Sequence, residues 1–379
     1  MTFGGQYRLR GEYRDNVDYN DDLSDSTDFW TQRVRLTANA AATDDTSIKI
    51  TLQDTRTFGA TGVLTDDTVD NGVAADSGTD NFLDLHEAYL NVKDIFGAPV
   101  SFRAGRQELN YGDQRLVGGF GWSNNGRAFD GFKFMYSNDM VDVDAFSMTI
   151  TEDTAATNDD TYFNGVYATL KQLVPNNTVD AYLFHQTDGT ALTRYTLGAR
   201  VKGALAGVDY TVELPYQFGE ASDTVDISAW ALAVKAGYTL PTPMKIRVGA
   251  EYDFATGDEA GSADENEAFN NLFPTNHAHF GIGDVVNTWS DIQAWSLNAS
   301  VDVNEKLNVY VAYWNYTEDE VPSGADDDLG SEIDLVASYK YSNSVGIEAG
   351  AARFYPGDRT AVTPDDPQDW AYLQLTANF

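Results

Sequence analysis

The sequence contains no cysteine among its 379 residues, so neither a disulfide framework nor a thiolate metal centre is open to it. Histidine is nearly as scarce. His86, His185, His277 and His279 are the whole supply, which leaves few candidates for a Ser-His-Asp site or a His-rich zinc site. Basic residues are in deficit, with 24 Lys and Arg against 59 Asp and Glu and a formal charge of -35. A chain so acidic is repelled by nucleic acid, which is not expected as a partner. No apolar run approaches the roughly 18 to 20 residues of a spanning helix, and the mean hydropathy of -0.38 excludes a helical membrane protein. A membrane protein built of strands stays open, because alternation hides lipid-facing residues from any hydropathy average. There is no Walker loop or dinucleotide fingerprint, and among so many acids no carboxylate couple stands out for acid/base work. Neither an enzyme nor a cofactor is expected. His277-Ala-His279 could hold a metal only if its loop folded around one; packing is the plainer role. Linkers and composition shifts are also missing, so residues 1–379 are expected to form a single domain. No leader is visible at Met1, and a mature chain whose leader has been removed is expected.

What the sequence does have is two-residue alternation. Gln6, Arg8, Arg10, Glu12 and Arg14 share one parity, with Tyr7, Leu9, Gly11 and Tyr13 on the other, the pattern of a strand with one polar and one apolar face. Residues 32–42 repeat it, with Val34, Leu36 and Ala38 against Arg33, Arg35 and Thr37, and Ile48, Ile50 and Leu52 follow against Lys49, Thr51 and Gln53. Further strands are predicted near residues 82–93, 100–111, 127–137, 141–151, 161–171, 178–187, 193–203, 207–219, 227–239, 244–256, 291–302, 307–318, 331–341, 345–355 and 368–379. Together these give about 18 strands, each close to the length a tilted membrane-spanning strand requires.

The connections alternate in length and chemistry. Short turns are predicted at Thr43-Asp44-Asp45, Ser137-Asn138-Asp139, Asn176-Asn177, Asn304-Glu305 and Ser342-Asn343-Ser344, with Pro-containing ones at Gly97-Ala98-Pro99 and Pro241-Thr242-Pro243. Long acidic loops are expected at about 16–28, 59–80, 112–126, 257–290, 319–330 and 356–367, with acidic clusters at Asp66-Asp67, Asp159-Asp160 and Asp326 to Asp328. An outer-membrane barrel has this layout of short periplasmic turns and long external loops; a soluble sandwich does not sort its loops so. The fold class expected is therefore all-β, a single transmembrane antiparallel barrel in the bacterial outer membrane, in contact with the bilayer and with lipopolysaccharide. Phe29, Trp30, Phe58, Trp122, Trp289, Trp314, Tyr316, Phe354, Tyr355 and Trp370 lie near strand ends and are expected to form aromatic girdles. The closing strand WAYLQLTANF alternates to a terminal Phe379, as terminal strands of such barrels do. The acidic loops could bind Ca²⁺ or bridge lipopolysaccharide through divalent ions, or simply be solvated.

A barrel of this size is expected to enclose water, so the inward parity decides what passes. It carries Arg8, Arg10, Arg33 and Arg35 in the first strands, and Arg103, Arg127 and Lys133 around the stretch from Arg103 to Gly131. Guanidinium groups in a column pair with carboxylates or phosphates in succession, which implies an elongated anionic cargo. Alternatively they pair with lumen acids such as Glu12 and Glu87 and only neutralise the interior. The glycines at 105, 112, 118, 119, 121, 126 and 131 mark a loop able to fold tightly against the wall.

The elements GRQ at 105–107, YGDQRLVG at 111–118 and WSNNGRAFDG at 122–131 resemble the signature of the alginate export family, and NLFPTNHAHFGIGD at 271–284 resembles that family's FPT-x-H segment in a long external loop. The resemblance implies an 18-stranded outer-membrane barrel, with Arg103, Arg106, Arg115, Arg127 and Asp130 at the pore or constriction. The function expected is a channel for passive diffusion of anionic sugars or an anionic polysaccharide such as a polyuronate. The excess of acids departs from that picture and favours the alternative of a general or cation-preferring porin. A structural barrel scaffolding an envelope complex with a periplasmic or envelope partner is a further reading, and a soluble β-rich polysaccharide-active enzyme another.

Overall fold

A computed structural model of the protein describes residues 1–59, 82–152, 160–189, 191–259, 262–360 and 365–379. The acidic pair Asp66-Asp67, most of the loop at 59–80 and Asp159 lie outside the described residues. The strands are β1 (Thr2–Asp15), β2 (Thr27–Ala41), β3 (Thr46–Thr57), β4 (Phe82–Val92), β5 (Val100–Gln107), β6 (Phe129–Ser137), β7 (Val141–Thr151), β8 (Thr161–Leu170), β9 (Asn177–Thr187) and β10 (Thr193–Leu205). They continue as β11 (Val208–Ser222), β12 (Val225–Thr239), β13 (Arg247–Ala255), β14 (Glu265–Asn266), β15 (Ile292–Asp302), β16 (Leu307–Thr317), β17 (Asp328–Lys340), β18 (Val345–Pro356) and β19 (Gln368–Asn378).

Consecutive strands pair antiparallel, and β19 pairs back onto β1 from Gln6↔Asn378 to Asp15↔Asp369, so the sheet closes and leaves no edge. The two-residue β14 is the exception; it adds parallel to β12, and β13 pairs with β15 past it. Setting β14 aside, the barrel has the eighteen antiparallel strands the alternation predicts. Two strands stop short of their predicted ends. The expected 100–111 and 127–137 become Val100–Gln107 and Phe129–Ser137, because residues 108–128 leave the ladder and turn into the lumen. At that departure Gly105, φ +122°, faces Gly131 across β5 and β6, and a Cβ there would run into the Ala88 carbonyl oxygen. The GRQ and FDG motifs thus supply a close backbone approach.

The faces are sorted as a lipid-embedded barrel requires. On β17, Ile333 and Leu335 are 48% and 49% exposed while Glu332 and Asp334, which alternate with them, are buried. Leu36, Ile50, Leu197, Leu214, Leu297 and Leu373 continue the apolar outer belt; Arg8, Arg10, Arg33, Asp180, Glu213 and Asp253 continue the polar interior. The expected aromatic girdle divides. Trp30, Phe58 and Tyr355 are exposed, but Trp289, Trp314, Tyr316, Phe354 and Trp370 are buried inward and Trp122 packs against Trp370 and Tyr372. Inward parity, together with the loops that need an apolar seat, draws these rings off the lipid face. Charge is also sorted along the barrel axis. None of the nine lysines lies in a connection at the long-loop end; Lys93, Lys171, Lys245 and Lys306 occupy short turns.

Candidate functional site: two loops folded into the lumen

Residues 108–128, between β5 and β6, and residues 267–291, between β14 and β15, fold inward and meet. Val117 and Phe273 form a parallel bridge. Around it Phe273 N donates to Leu116 O at 2.8 Å, Gly118 N to Phe273 O at 2.9 Å and Thr275 N to Gln114 O at 2.9 Å. The NLFPTNHAHFGIGD segment therefore does not project outward as its expected external loop would. Its backbone polar groups find partners on the first loop and the barrel wall, which is what permits burial. Leu109, Leu116, Val117, Phe269, Phe273, Phe280 and Trp289 are buried with the inward rings of β6 to β9 in one apolar cluster. Side chains thus fill part of a lumen expected to be water-filled, beyond the single wall-hugging loop the glycines suggest.

The arginines of β1 and β2 hold the first loop. Arg8 donates to the carbonyls of Gly121, Trp122 and Ser123 at 2.9, 2.8 and 3.0 Å. Arg33 reaches Gly121 O and Ser123 O at 3.1 and 2.9 Å. Arg10 bonds Glu12 at 2.7 Å and Trp122 O at 2.7 Å, and its guanidinium carbon lies 3.9 Å from the Trp122 ring centroid. The His277 ring stacks at 3.7 Å and 10° on the same indole. Two groups that close cannot share a face, so Arg10 and His277 sandwich Trp122 and lock the two loops together. Arg35 joins Gln53 at 2.6 Å and Glu108 at 3.4 Å, and His86 Nε2 meets Glu108 at 2.7 Å. Burial alone would raise the Glu108 carboxyl; the hydrogen bond from His86 and the neighbouring positive charge hold it at about 2.

Arg127 donates to Gly118 O at 3.1 Å and to Pro274 O at 2.8 Å, tying one loop to the other. Burial pulls its pKa down to about 10. Arg115 pairs with Glu251 and, at 3.0 Å, with Asp253 on the opposite wall. Arg103 and Lys133 face each other across β5 and β6 on the inward parity. Lys133 pairs with Asp144 at 3.0 Å, whereas Arg103 lies 4.2 Å over the Tyr89 ring and makes no ion pair among the described residues. Arg106 and Asp130 are not brought to the lumen. They pair with each other at 3.3 Å on the outward parity that carries the exposed Phe132 and Phe134.

The residues the sequence reading missed are acids. Asp180, Glu213, Glu251 and Asp253 are buried on the inward parity of β9, β11 and β13, across the barrel from β1 and β2, and Glu332 and Asp334 are buried on the inward parity of β17, three strands from β1. Their signal was available in EYDF at 251–254 and SEIDL at 331–335, acids alternating with apolar residues as the arginines do on β1 and β2. Asp180 and Asp113 hold Arg200, the first at 2.8 Å. His277 Nδ1 meets Asp284 at 2.9 Å and His279 Nε2 meets Asp113 O at 3.0 Å. Among the described residues no group of three or more His, Asp or Glu could hold a metal ion, the run Asp326 to Asp328 included.

A closed outer-membrane barrel with a looped constriction and opposed basic and acidic walls agrees with the comparison by sequence, in which the family model described as alginate export matches residues 1–372. The chain belongs to the alginate export family. It is an outer-membrane channel and not an enzyme. Among solved structures the barrel is similar to Acinetobacter baumannii OccAB3, with TM-score 0.70 and 12% identity over 100% of this chain and 99% of that one. Pseudomonas aeruginosa OccK9 (OpdG) follows at 0.67 and 13%, covering 100% and 98%, and Pseudomonas aeruginosa OpdO at 0.65 and 16%, covering 100% and 97%. At these identities the likeness is one of fold. No curated protein sequence matches the chain.

Proposed function

We propose that this alginate export family channel passes anionic sugars or an anionic polysaccharide such as a polyuronate by passive diffusion. The observation that carries the reading is a cavity of about 350 Å³ bounded by Arg8, Arg33, Trp122, His277 and Gln374. Arg8 and Arg33 bond the carbonyls of the first loop and the side-chain oxygens of Asn124 and Gln6. All of these acceptors are neutral, and neither guanidinium forms a salt bridge among the described residues, so no bonded carboxylate cancels the positive charge. Arg103 on β5 adds a third guanidinium that makes no ion pair among the described residues. A carboxylate leaving water would find successive cationic stations, each weak enough to release it. Most of the acidic excess lies in loop-end connections, and charges beyond about 8 Å are screened at physiological salt. The net charge therefore does not set the field at the constriction. Lipopolysaccharide is the lipid we propose around the long-loop rim, where Arg353 and Asp369 pair on the outward face of β18 and β19.

The test is current block by an oligouronate against a neutral oligosaccharide of equal length. The reading expects the uronate to block at lower concentration, with the difference reduced in Arg8→Gln with Arg33→Gln; equal block by both sugars contradicts it. The acidic wall supports one rival, a cation-preferring pore, and preferential block by a cationic oligosaccharide would favour that.

A further inference from the structure

Glu332 and Asp334 stand two residues apart on β17, at 0% and 1% exposure, where the second loop seats against the wall. Two of their four carboxyl oxygens serve the loop: Glu332 Oε1 accepts from Gly283 N at 2.9 Å and Asp334 Oδ1 accepts from Ile282 N at 3.5 Å. The other two, Glu332 Oε2 and Asp334 Oδ2, are buried without a hydrogen-bond partner among the described residues. Neither residue forms a salt bridge among the described residues, although the two side chains are within hydrogen-bonding reach of each other. Gly281, φ +88°, and Gly283 close over the Glu332 carboxyl so tightly that a Cβ on either would strike it.

Among the described residues no compensating cation is brought into contact. Asp284 and His277 face the pair from the loop, Tyr310 and Tyr316 from β16, and Tyr372 from β19. The Tyr316 hydroxyl is already donated to Phe280 O at 2.7 Å. Arg14 on β1 donates to Gly283 O at 3.0 Å, on the loop and not on the carboxylates. Two buried carboxylates in contact cannot both stay ionised without a counter-ion.

We propose that Glu332 and Asp334 are a proton-binding site, holding one proton between Oε2 and Oδ2 and so latching residues 280–284 onto the barrel wall. One proton supplies the missing partner to both orphaned oxygens and leaves a single negative charge facing the two loop N–H groups. Loss of that proton puts two like charges side by side under the loop and drives the seat apart. The latch therefore holds at neutral pH and loosens as the solution becomes alkaline.

The full-length protein in planar bilayers tests this, with single-channel recordings from neutral to alkaline pH in the presence of a chelator. The wild type is expected to show a rising frequency of open or noisy events as pH rises. Glu332→Gln keeps a neutral hydrogen-bonding group in the same volume, and its gating is expected to be flat over that range. Infrared spectra of the folded barrel give a second readout that does not depend on gating. A protonated carboxylic-acid carbonyl band should be present at neutral pH and be lost in both Glu332→Gln and Asp334→Asn. An absent band, or identical pH responses in wild type and Glu332→Gln, overturns the proposal. So does gating that follows added Ca²⁺ at constant pH, which would mean that a metal cation and not a proton fills the site.

Discussion

Arg103 is the residue on which cation chemistry is least masked, because its guanidinium rests on Tyr89 with no ion pair among the described residues. Arg103→Ala is expected to lower the anion-to-cation permeability ratio several-fold while leaving the barrel folded, since only a cation–π contact of about 1 kcal/mol is lost. Permeability ratios and heat-induced migration of the barrel on gels check the two halves of that statement. His279 gives a pH prediction of definite sign. Burial first, and then the nearby charge of Arg115, push its pKa well below the ordinary value. At His279 the docked loop thus binds fewer protons than the released one. The contribution of His279 to docking is fully present above the ordinary His pKa of about 6.5 and weakens below it by up to about 1.4 kcal/mol per pH unit. Hydrogen exchange of residues 276–284 should accelerate as pH falls from 7 to 5, after correction for the intrinsic rate. His279→Gln should remove that dependence.

At the scale of elements the strands were the legible part. A two-residue period is fixed by the pleat, so Arg8, Arg10 and Arg33 could be put on the inward face from spacing alone. The fate of residues 108–128 was legible only in part, as a glycine-rich loop able to lie against the wall, and that of 271–284 was not. Their glycines and asparagines permit either an external loop or an inward one, and the choice is made by contacts between residues more than a hundred positions apart, such as Arg8 with Trp122 or Gln114 with Thr275. The inward tryptophans escaped for the same reason, because ring content near strand ends does not say which face is covered. Phe273→Ala tests the join between the loops. Removing a ring that is 4% exposed is expected to destabilise the docked pair by about 3 to 5 kcal/mol, read as faster hydrogen exchange at residues 114–118 and larger open-channel noise, with barrel melting unchanged. Arg8→Ala with Arg33→Ala should release residues 121–125 and raise single-channel conductance; unaltered conductance would mean that those arginines do not hold the constriction.

For the whole molecule the lysines and acids divide the barrel along its axis, with acidic connections at the long-loop mouth and lysines confined to strands and short turns. A pore whose mouths differ in charge conducts unequally in the two directions. The current–voltage relation is therefore expected to be asymmetric at low salt and to straighten near 1 M, where the screening length falls to about 3 Å. A relation symmetric at low salt would show that the mouths do not reach the conduction path. At the constriction, the proposed function has cationic groups on β1 and β2 that face neutral loop acceptors, and not the total charge of -35, decide what crosses. The reversal potential of the reconstituted channel in a salt gradient tests this most directly. The account predicts a potential displaced toward that of the anion, and a potential displaced toward that of the cation would contradict it.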